Sequence, residues 1–591
     1  MSQSEHEVKQ IDGVRGSSDV EAQNEERPFK ESDAGDGSRK EDQYLHGMKL
    51  VLCLLALFLC LFLVALDQTI VAVLLKVVGD KFNAFDKVGW LSSGFLLSIA
   101  VFAATWGKLS MIFGRKYTML VAILIFEAGS LMCALAPTMN VLIGGRVFAG
   151  VGGGGIQTLV FILVSEIVPI NKRPLSMSLV GCTFAVASVL GPLIGGALTS
   201  NVTWRWCFYI NLPIGGVAAG LFFLVFNPPF PKGNLVQKLK LIDYFGVFLL
   251  TGGLVVFLLA LTFGSGNEFG WDSGPVIACF IIGGCVMIIW LCYNFLLSKV
   301  PLIPREVVKV PQLDASGGQM FSMYAYFMGS VLYVTIYFQT IKDNDAWHSG
   351  LHTLPLIIPV VVASISGGIL ITKSRFVKPF GMTGSVLGLI GTGLICLLEV
   401  DSSSSKQIGL LIILGVSVGL QMQAPMIGSH IKAPKTPGGM ILTTTFVNFS
   451  RALGGTLGAD LADAVYLASS TNIIRSALKT ANENIASELG SYDLKKLNSN
   501  SLLIEKLSPE SQAFIKQQSM KALRNVYYMC IGFAALAFIF SIFTTNKRLP
   551  RQVEISRHES KLSGEEEQKV SEDANKEKKL DDLEKTSNYE V

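Results

Sequence analysis

Among the charged residues inside stretches that are otherwise apolar, five could carry chemistry: Asp67, Glu127, Arg146, Asp460 and Asp463. An ionised side chain in hydrocarbon costs several kcal/mol unless it is paired or hydrated, so an intramembrane charge is functional by default. Asp67 is suited to taking up and releasing a proton or cation, or to hydrogen bonding near a membrane surface. Arg146 does not deprotonate and needs an anionic partner or carbonyls. We expect it to pair with Asp67, so that a proton on Asp67 weakens the pair and biases a two-state cycle; packing against carbonyls is the alternative. Glu127 reads equally as a second proton site, a contact for a cationic substrate, or a cap on a kink. Asp460 and Asp463 are one helical turn apart and share a helix face. They read as a paired acidic site, with Asp463 otherwise a solvated helix end. Arg451 precedes them by nine and twelve residues, too far along the helix for direct pairing.

No other chemistry suggests itself. The run Gly152-Gly153-Gly154-Gly155 lies in an apolar segment and lacks the Lys-Ser/Thr of a phosphate-cradling loop. The ten cysteines have no metal-ligand spacing and read as small membrane hydrophobes. We expect no enzyme, metal or cofactor. Transport would be driven by an ion gradient.

The elements that position these residues are helices. Half of the 591 residues are hydrophobic and only 16% are charged, against about 25% in a soluble domain. The apolar residues gather in blocks of roughly 20, the length of a helix crossing about 30 Å of hydrocarbon. Such runs lie at about 50–74, 88–107, 117–137, 140–166, 176–199 and 207–227. Two more follow at 244–264 and 274–297, then six at 318–340, 350–372, 377–398, 406–428, 437–467 and 525–544. The chain thus divides into a polar N-tail (1–47), a first six-helix half (48–227), two inserted spans (228–300), a second six-helix half (301–545) and a polar C-tail (546–591). Within the second half, 469–523 reads as one long loop. Both tails are expected to be disordered, with no cleavable leader before the first run. Lys and Arg concentrate in alternate short loops, for example Lys108, Arg115, Lys116, Lys172, Arg173 and Arg375. By the positive-inside rule both termini are then cytoplasmic and 469–523 lies on the far side.

A faint repeat relates the halves. The basic turn Gly107–Lys116 follows span 2, and Lys373, Arg375 and Lys378 follow span 10. Gly191-Pro192 and Gly195-Gly196 lie in span 5, and Gly454-Gly455 and Gly458 in span 13. Duplicated halves of this kind typify transporters that rock around a midplane site. The Gly-Pro segment reads either as a bendable joint or as close helix packing.

Several strings resemble the major facilitator superfamily, in particular its fourteen-span drug:proton antiporter branch. They are Leu66-Asp67-Gln68-Thr69-Ile70-Val71, the turn from Gly107-Lys108-Leu109 to Gly114-Arg115-Lys116, Gly145-Arg146-Val147-Phe148-Ala149-Gly150, Gly191-Pro192 with Gly195-Gly196, and Trp204 through Gly215. Gly89-Trp90 and Phe126-Glu127-Ala128-Gly129-Ser130 are similar to fungal members, the dye and azole resistance pumps and the vacuolar basic amino acid transporters. The resemblance implies two six-helix halves and two inserted helices, and exchange rather than uptake. Gly107, Gly114, Arg115, Lys116, Gly191, Pro192, Gly195 and Gly196 would be gating or packing residues. The chain departs from the pattern at Ala72, Lys76 and Ala187, and at Met111, where the turn usually carries an acid. The charge relay that holds this turn is therefore expected to be missing. Trp204, Trp206 and Tyr209 read as interfacial anchors.

The resulting expectation is a proton-coupled antiporter exporting small cationic or amphipathic drugs or toxins, in the plasma or vacuolar membrane. Its partners would be a small-molecule substrate, protons and the lipid bilayer, with no nucleic acid, and it would act as a monomer. Vacuolar import of basic amino acids is a second transport reading, and a non-transporting nutrient sensor a reading of another class.

Overall fold

The computed structural model describes residues 44–84, 87–228, 235–265, 270–344, 346–490, 492, 504 and 507–550. Almost all of the two tails, and residues 493–503 of the expected loop, lie outside the described residues. Every helix below belongs to the compact unit Ser32–Leu549.

Each apolar run becomes a helix. The first half holds α1 (Gly47–Phe82), α2 (Trp90–Phe113), α3 (Arg115–Leu135), α4 (Met139–Ile167), α5 (Arg173–Asn201) and α6 (Asn211–Val225). Then come α7 (Tyr244–Ser265) and α8 (Gly274–Cys292). The second half holds α9 (Pro311–Ile336), α10 (Ala346–Ser374), α11 (Lys378–Ile395), α12 (Ser404–Gln421), α13 (Gly439–Leu478) and α14 (Pro509–Phe543). Local chemistry sets several starts. Thr138, Ser403 and Ser508 cap α4, α12 and α14 by accepting from Val141, Lys406 and Ser511 N–H groups. Prolines occupy the first turn of α5, α8, α9, α11 and α14, where the missing N–H costs nothing. The α2–α3 turn needs Gly114, at φ 89°.

Among the described residues, twelve segments are long and apolar enough to cross a membrane. The chain is a multi-pass membrane protein. Helices α11 and α13 match two of the expected runs but miss that threshold, because α11 is rich in glycine and α13 carries Arg451, Asp460 and Asp463.

The segment read as a loop over 469–523 is much narrower. Helix α13 continues to Leu478, a short helix covers Glu483–Gly490, and α14 starts at Pro509. Polar residues hid these extensions from a hydropathy reading. Glu488 secures the start of α14 by accepting from Ser508 N, Ser508 Oγ and Ser511 Oγ, which holds its carboxyl below the usual range. Span 6 is also broken: a turn at Trp206–Tyr209 precedes α6. Trp204 is no interfacial anchor. It is buried, edge-on to Phe82 and Phe208, in a cluster with Cys133 and Leu142, whereas Trp206 stays 48% exposed.

The repeat is explicit in the packing. Helix α1 lies against α5 and α6, α2 against α4, and α3 against α4 and α6. Eight helices later, α9 lies against α13 and α14, α10 against α12, and α11 against α12 and α14. The halves meet reciprocally, α2 on α13 and α5 on α10. Helices α7 and α8 pair with each other, and α7 covers the α2–α13 seam. Small residues permit the closest crossings. A Cβ on Gly152 of α4, for example, would lie 2.3 Å from the Phe126 amide nitrogen of α3.

Candidate functional site

Helices α1, α2, α3, α4 and α6 converge on one enclosed pair of charges. Asp67 and Arg146 are each only 1% exposed. Arg146 Nη1 forms an ion pair with Asp67 Oδ2 and Nη2 donates to the Asp67 carbonyl at 3.3 Å. Its Nε donates to the Leu91 carbonyl of α2 at 2.9 Å, so all three nitrogens of the guanidinium have acceptors. The Phe95 ring lies 4.1 Å from the guanidinium carbon. On the other side the Asn211 amide donates to Ser130 Oγ at 3.1 Å, with a long contact of 3.5 Å to Asp67 Oδ1. The expected pairing is present, and it includes carbonyls as well as the carboxylate.

The basic turn after α2 is held differently from expectation. Met111 removes the usual acid, yet Arg115 is buried and paired through two bonds with Glu166 at the end of α4, at 2.8 and 3.0 Å. The turn therefore has a charge clamp after all, supplied by a residue that sequence reading passed over. Lys116 donates to Asn227 Oδ1 and lies 4.3 Å from the Phe223 ring centre. Gly107 presses on α13 across the seam: a Cβ there would lie 2.0 Å from Thr445 Oγ1.

The remaining acids do not form one cluster. Both carboxylate oxygens of Glu127 are buried with no hydrogen-bond partner among the described residues, and Oε1 lies against the bare backbone of Gly215 in α6. Asp460 is buried on α13. Asp463 accepts from the buried Tyr333 hydroxyl of α9 at 2.7 Å. It is not a solvated helix end, because α13 runs on to Leu478. Arg451 contacts neither acid, donating instead to Asn448 Oδ1 at 3.0 Å and Gln157 Oε1 of α4 at 2.7 Å. Asn448 in turn donates to Thr158 Oγ1 at 2.9 Å, linking the two halves. Beside Arg451 the halves leave a narrow cavity with room for about one water molecule, lined by α4 and α5 on one side and α9, α13 and the residues after α12 on the other.

The chain matches the Major Facilitator Superfamily over residues 57–459. It belongs to that superfamily. It is 38% identical over 567 residues to Vacuolar basic amino acid transporter 5 of Saccharomyces cerevisiae, covering 88% of this chain and 94% of that protein. With Azole resistance protein 1 of the same yeast it shares 33% identity, over 87% of this chain and 91% of the relative. Efflux pump aflT of Aspergillus parasiticus is 35% identical over 73% of this chain and 84% of its own. Among solved structures, a bacterial homologue of the human lysosomal transporter Spinster superposes with a TM-score of 0.54 at 16% identity, covering 86% of this chain and 100% of that one. This last likeness bears on the fold alone. The protein is a facilitator-type membrane transporter and not an enzyme.

In this facilitator the span 5 motif is a close helix crossing at one end and open at the other. A Cβ on Gly191 would lie 2.0 Å from Thr69 Oγ1 of α1, whose hydroxyl also donates to the Ala187 carbonyl at 3.2 Å. Pro192 stands inside α5, and Gly195 is buried. Gly196 has no neighbour within 4 Å of a notional Cβ, so it contributes no tight contact. Sequence reading missed Ser130, Gln157, Glu166, Asn211, Tyr333 and Asn448. The available signal was a lone polar residue in an apolar run, clearest for Asn211 and Gln157.

Proposed function

We propose that the protein is a proton-coupled antiporter that carries small amphipathic compounds out of the cytosol, with Asp67 and Arg146 as the coupling pair. The observation that supports this is the enclosure of a single carboxylate–guanidinium pair where five helices of one half meet. A proton on Asp67 removes the negative partner and leaves Arg146 to its carbonyls. That changes the relative free energies of two packings of the half, and a proton binding one packing better than the other drives their exchange. Glu127 is a candidate second proton site, and Asp460 and Asp463 are candidate proton or substrate sites. We further infer that all fourteen helices cross the bilayer and that both termini are cytoplasmic, with the protein acting as a monomer.

The test is substrate-driven proton movement in proteoliposomes, with the intact protein and Asp67→Asn. Proton flux with an azole or dye that vanishes in folded Asp67→Asn supports the reading, and flux unchanged by the mutation refutes the role of the pair. A second reading, import of basic amino acids into the vacuole, draws support from the relative at 38% identity and from the buried acids Glu127 and Asp460. Flux driven by lysine or arginine alone would select it. The expected membrane is plasma for the first reading and vacuolar for the second, which fluorescence localisation of the tagged chain distinguishes.

A further inference from the structure

The cavity between the halves contains a positive charge that no acid in the described protein balances. Arg451 is 4% exposed and makes two hydrogen bonds, both to neutral amides, Asn448 and Gln157. Its Nη1 has no acceptor among the described residues, and no carboxylate of theirs pairs with the guanidinium. Three rings surround it, with the guanidinium carbon 5.0 Å from the centre of Phe161, 5.3 Å from Phe184 and 4.8 Å from Tyr324. Ring faces and amide oxygens orient a cation and attract it, but they do not neutralise it. A guanidinium inside a membrane protein is expected to find an anion. Arg115 and Arg146 in this same chain each have one. The other lining residues include Met177, Val180, Met320 and Met422, and none of the lining is acidic. Thioether side chains on flexible stems adapt to varied apolar shapes.

We propose that, when the halves part and widen this gap, Arg451 receives the carboxylate of an amphipathic organic acid, whose aromatic or aliphatic body then lies against these methionines and rings. The proposal rests on the transport reading only in placing a transported molecule in this cavity. Nη1 and the spare N–H of Nη2 form an unused fork of the kind that grips a carboxylate through two bonds. A cationic head group finds no acid in the lining and meets Arg451 instead, so the cavity counts against the cationic class expected from sequence. A basic amino acid shares the carboxylate but would leave its side-chain cation unmatched here.

The experiment is equilibrium binding of 1-pyrenebutyrate and its neutral primary amide to the full chain in lipid nanodiscs at neutral pH, read by pyrene fluorescence. We expect the acid to bind about tenfold tighter than the amide, a difference of about 1.4 kcal/mol. Arg451→Gln should erase that preference while amide binding persists, which reports an intact cavity. If Arg451→Gln does not fold, Arg451→Lys serves, with a preference reduced but not lost. An acid preference unchanged by these substitutions, or no preference in the native protein, overturns the proposal. Displacement of pyrenebutyrate by lysine or arginine but not by other aromatic acids also overturns it, in favour of an amino acid carboxylate. Asp67→Asn should keep the acid preference, so failure of proton coupling and failure of this site are separable.

Discussion

Arg146 and Arg451 are the same side chain, one in each half, equally cut off from water, and provided for in opposite ways. Arg146 has a carboxylate, two carbonyls and two ring faces within its own half. Arg451 has two neutral amides and three rings, drawn from both halves. In a low dielectric this difference is large. A guanidinium with its own acid is self-contained and responds to whatever changes that acid, which is a proton. A guanidinium without one leaves a field that something arriving from outside can satisfy. The first arrangement suits coupling, and the second suits recognition.

The sharpest way to break the comparison is to remove each arginine. Arg146→Gln strands a buried Asp67 and should destabilise the protein by about 3–5 kcal/mol, with proton-linked transport abolished. Arg451→Gln strands no charge. It loses two hydrogen bonds from a charged donor and should cost less, about 1–3 kcal/mol. Apparent unfolding temperatures of the two variants in the same lipid check the order, and a larger drop for Arg451→Gln would mean that its charge is structural. The double variant Asp67→Asn/Arg146→Gln should recover much of the lost stability and none of the coupling, since the two residues interact directly.

The two basic turns extend the comparison to the helix ends. Arg115 is clamped by Glu166, whereas its counterpart Arg375 donates to the backbone carbonyl of Leu549 at 2.6 Å. Glu166→Gln is expected to cost about 3 kcal/mol by leaving a buried guanidinium without its anion. Arg375→Gln strands no buried guanidinium and should cost less, about 1.5–2 kcal/mol for a hydrogen bond from a charged donor. Equal losses in a paired thermal-stability measurement would show that the turns are equivalent despite their different partners.

These partners also mark how far the sequence could be read. The helical runs, their order and the eight-helix repeat were legible, because hydropathy at a period of about 20 residues is a property of neighbours along the chain. The charges were legible for the same reason: Asp67 and Arg146 stand out in apolar surroundings. Partners were not. Glu166 sits at a helix end, where an acid is unremarkable, and it meets Arg115 across 51 positions. Gln157 and Asn448 interrupt apolar runs, but a neutral amide does not announce which charge it serves, and these two hold Arg451. The long extensions of α13 and α14 were invisible because their outer turns are polar. The alternative reading of Asp463 as a solvated helix end rested on that shorter span.

Tyr333 probes a smaller contrast: Asp463 of the second half accepts from a tyrosine hydroxyl, whereas Asp67 of the first half pairs with a guanidinium. Tyr333→Phe removes one hydrogen bond to Asp463 and should lower stability by about 1 kcal/mol. If Asp463 is a proton site, the same substitution should shift the pH dependence of transport without abolishing it. A transport profile unmoved by Tyr333→Phe would remove Asp463 from the candidate proton sites.

The smallest effects come from single methyl groups in α5, and they test whether the coupling pair depends on its surroundings. At Gly191 an added Cβ would meet Thr69 Oγ1 at 2.0 Å, Thr69 Cβ at 2.8 Å and the Ile70 amide nitrogen at 3.1 Å. The hydroxyl can rotate away, but the Thr69 Cβ and the backbone cannot, so α1 and α5 must separate slightly. Overpacking of this kind costs about 1–3 kcal/mol. Thr69 lies two residues from Asp67, so Gly191→Ala should weaken proton coupling while the acid preference at Arg451 is kept. Gly196 has open space instead, and Gly196→Ala should raise stability by up to about 1 kcal/mol through helix propensity alone. Coupling ratios and unfolding temperatures measured on both variants separate the possibilities. If Gly196→Ala uncouples transport without loss of stability, the motif acts through backbone bending of α5 and not through its contact with α1, and the Asp67–Arg146 pair is less self-contained than its geometry suggests.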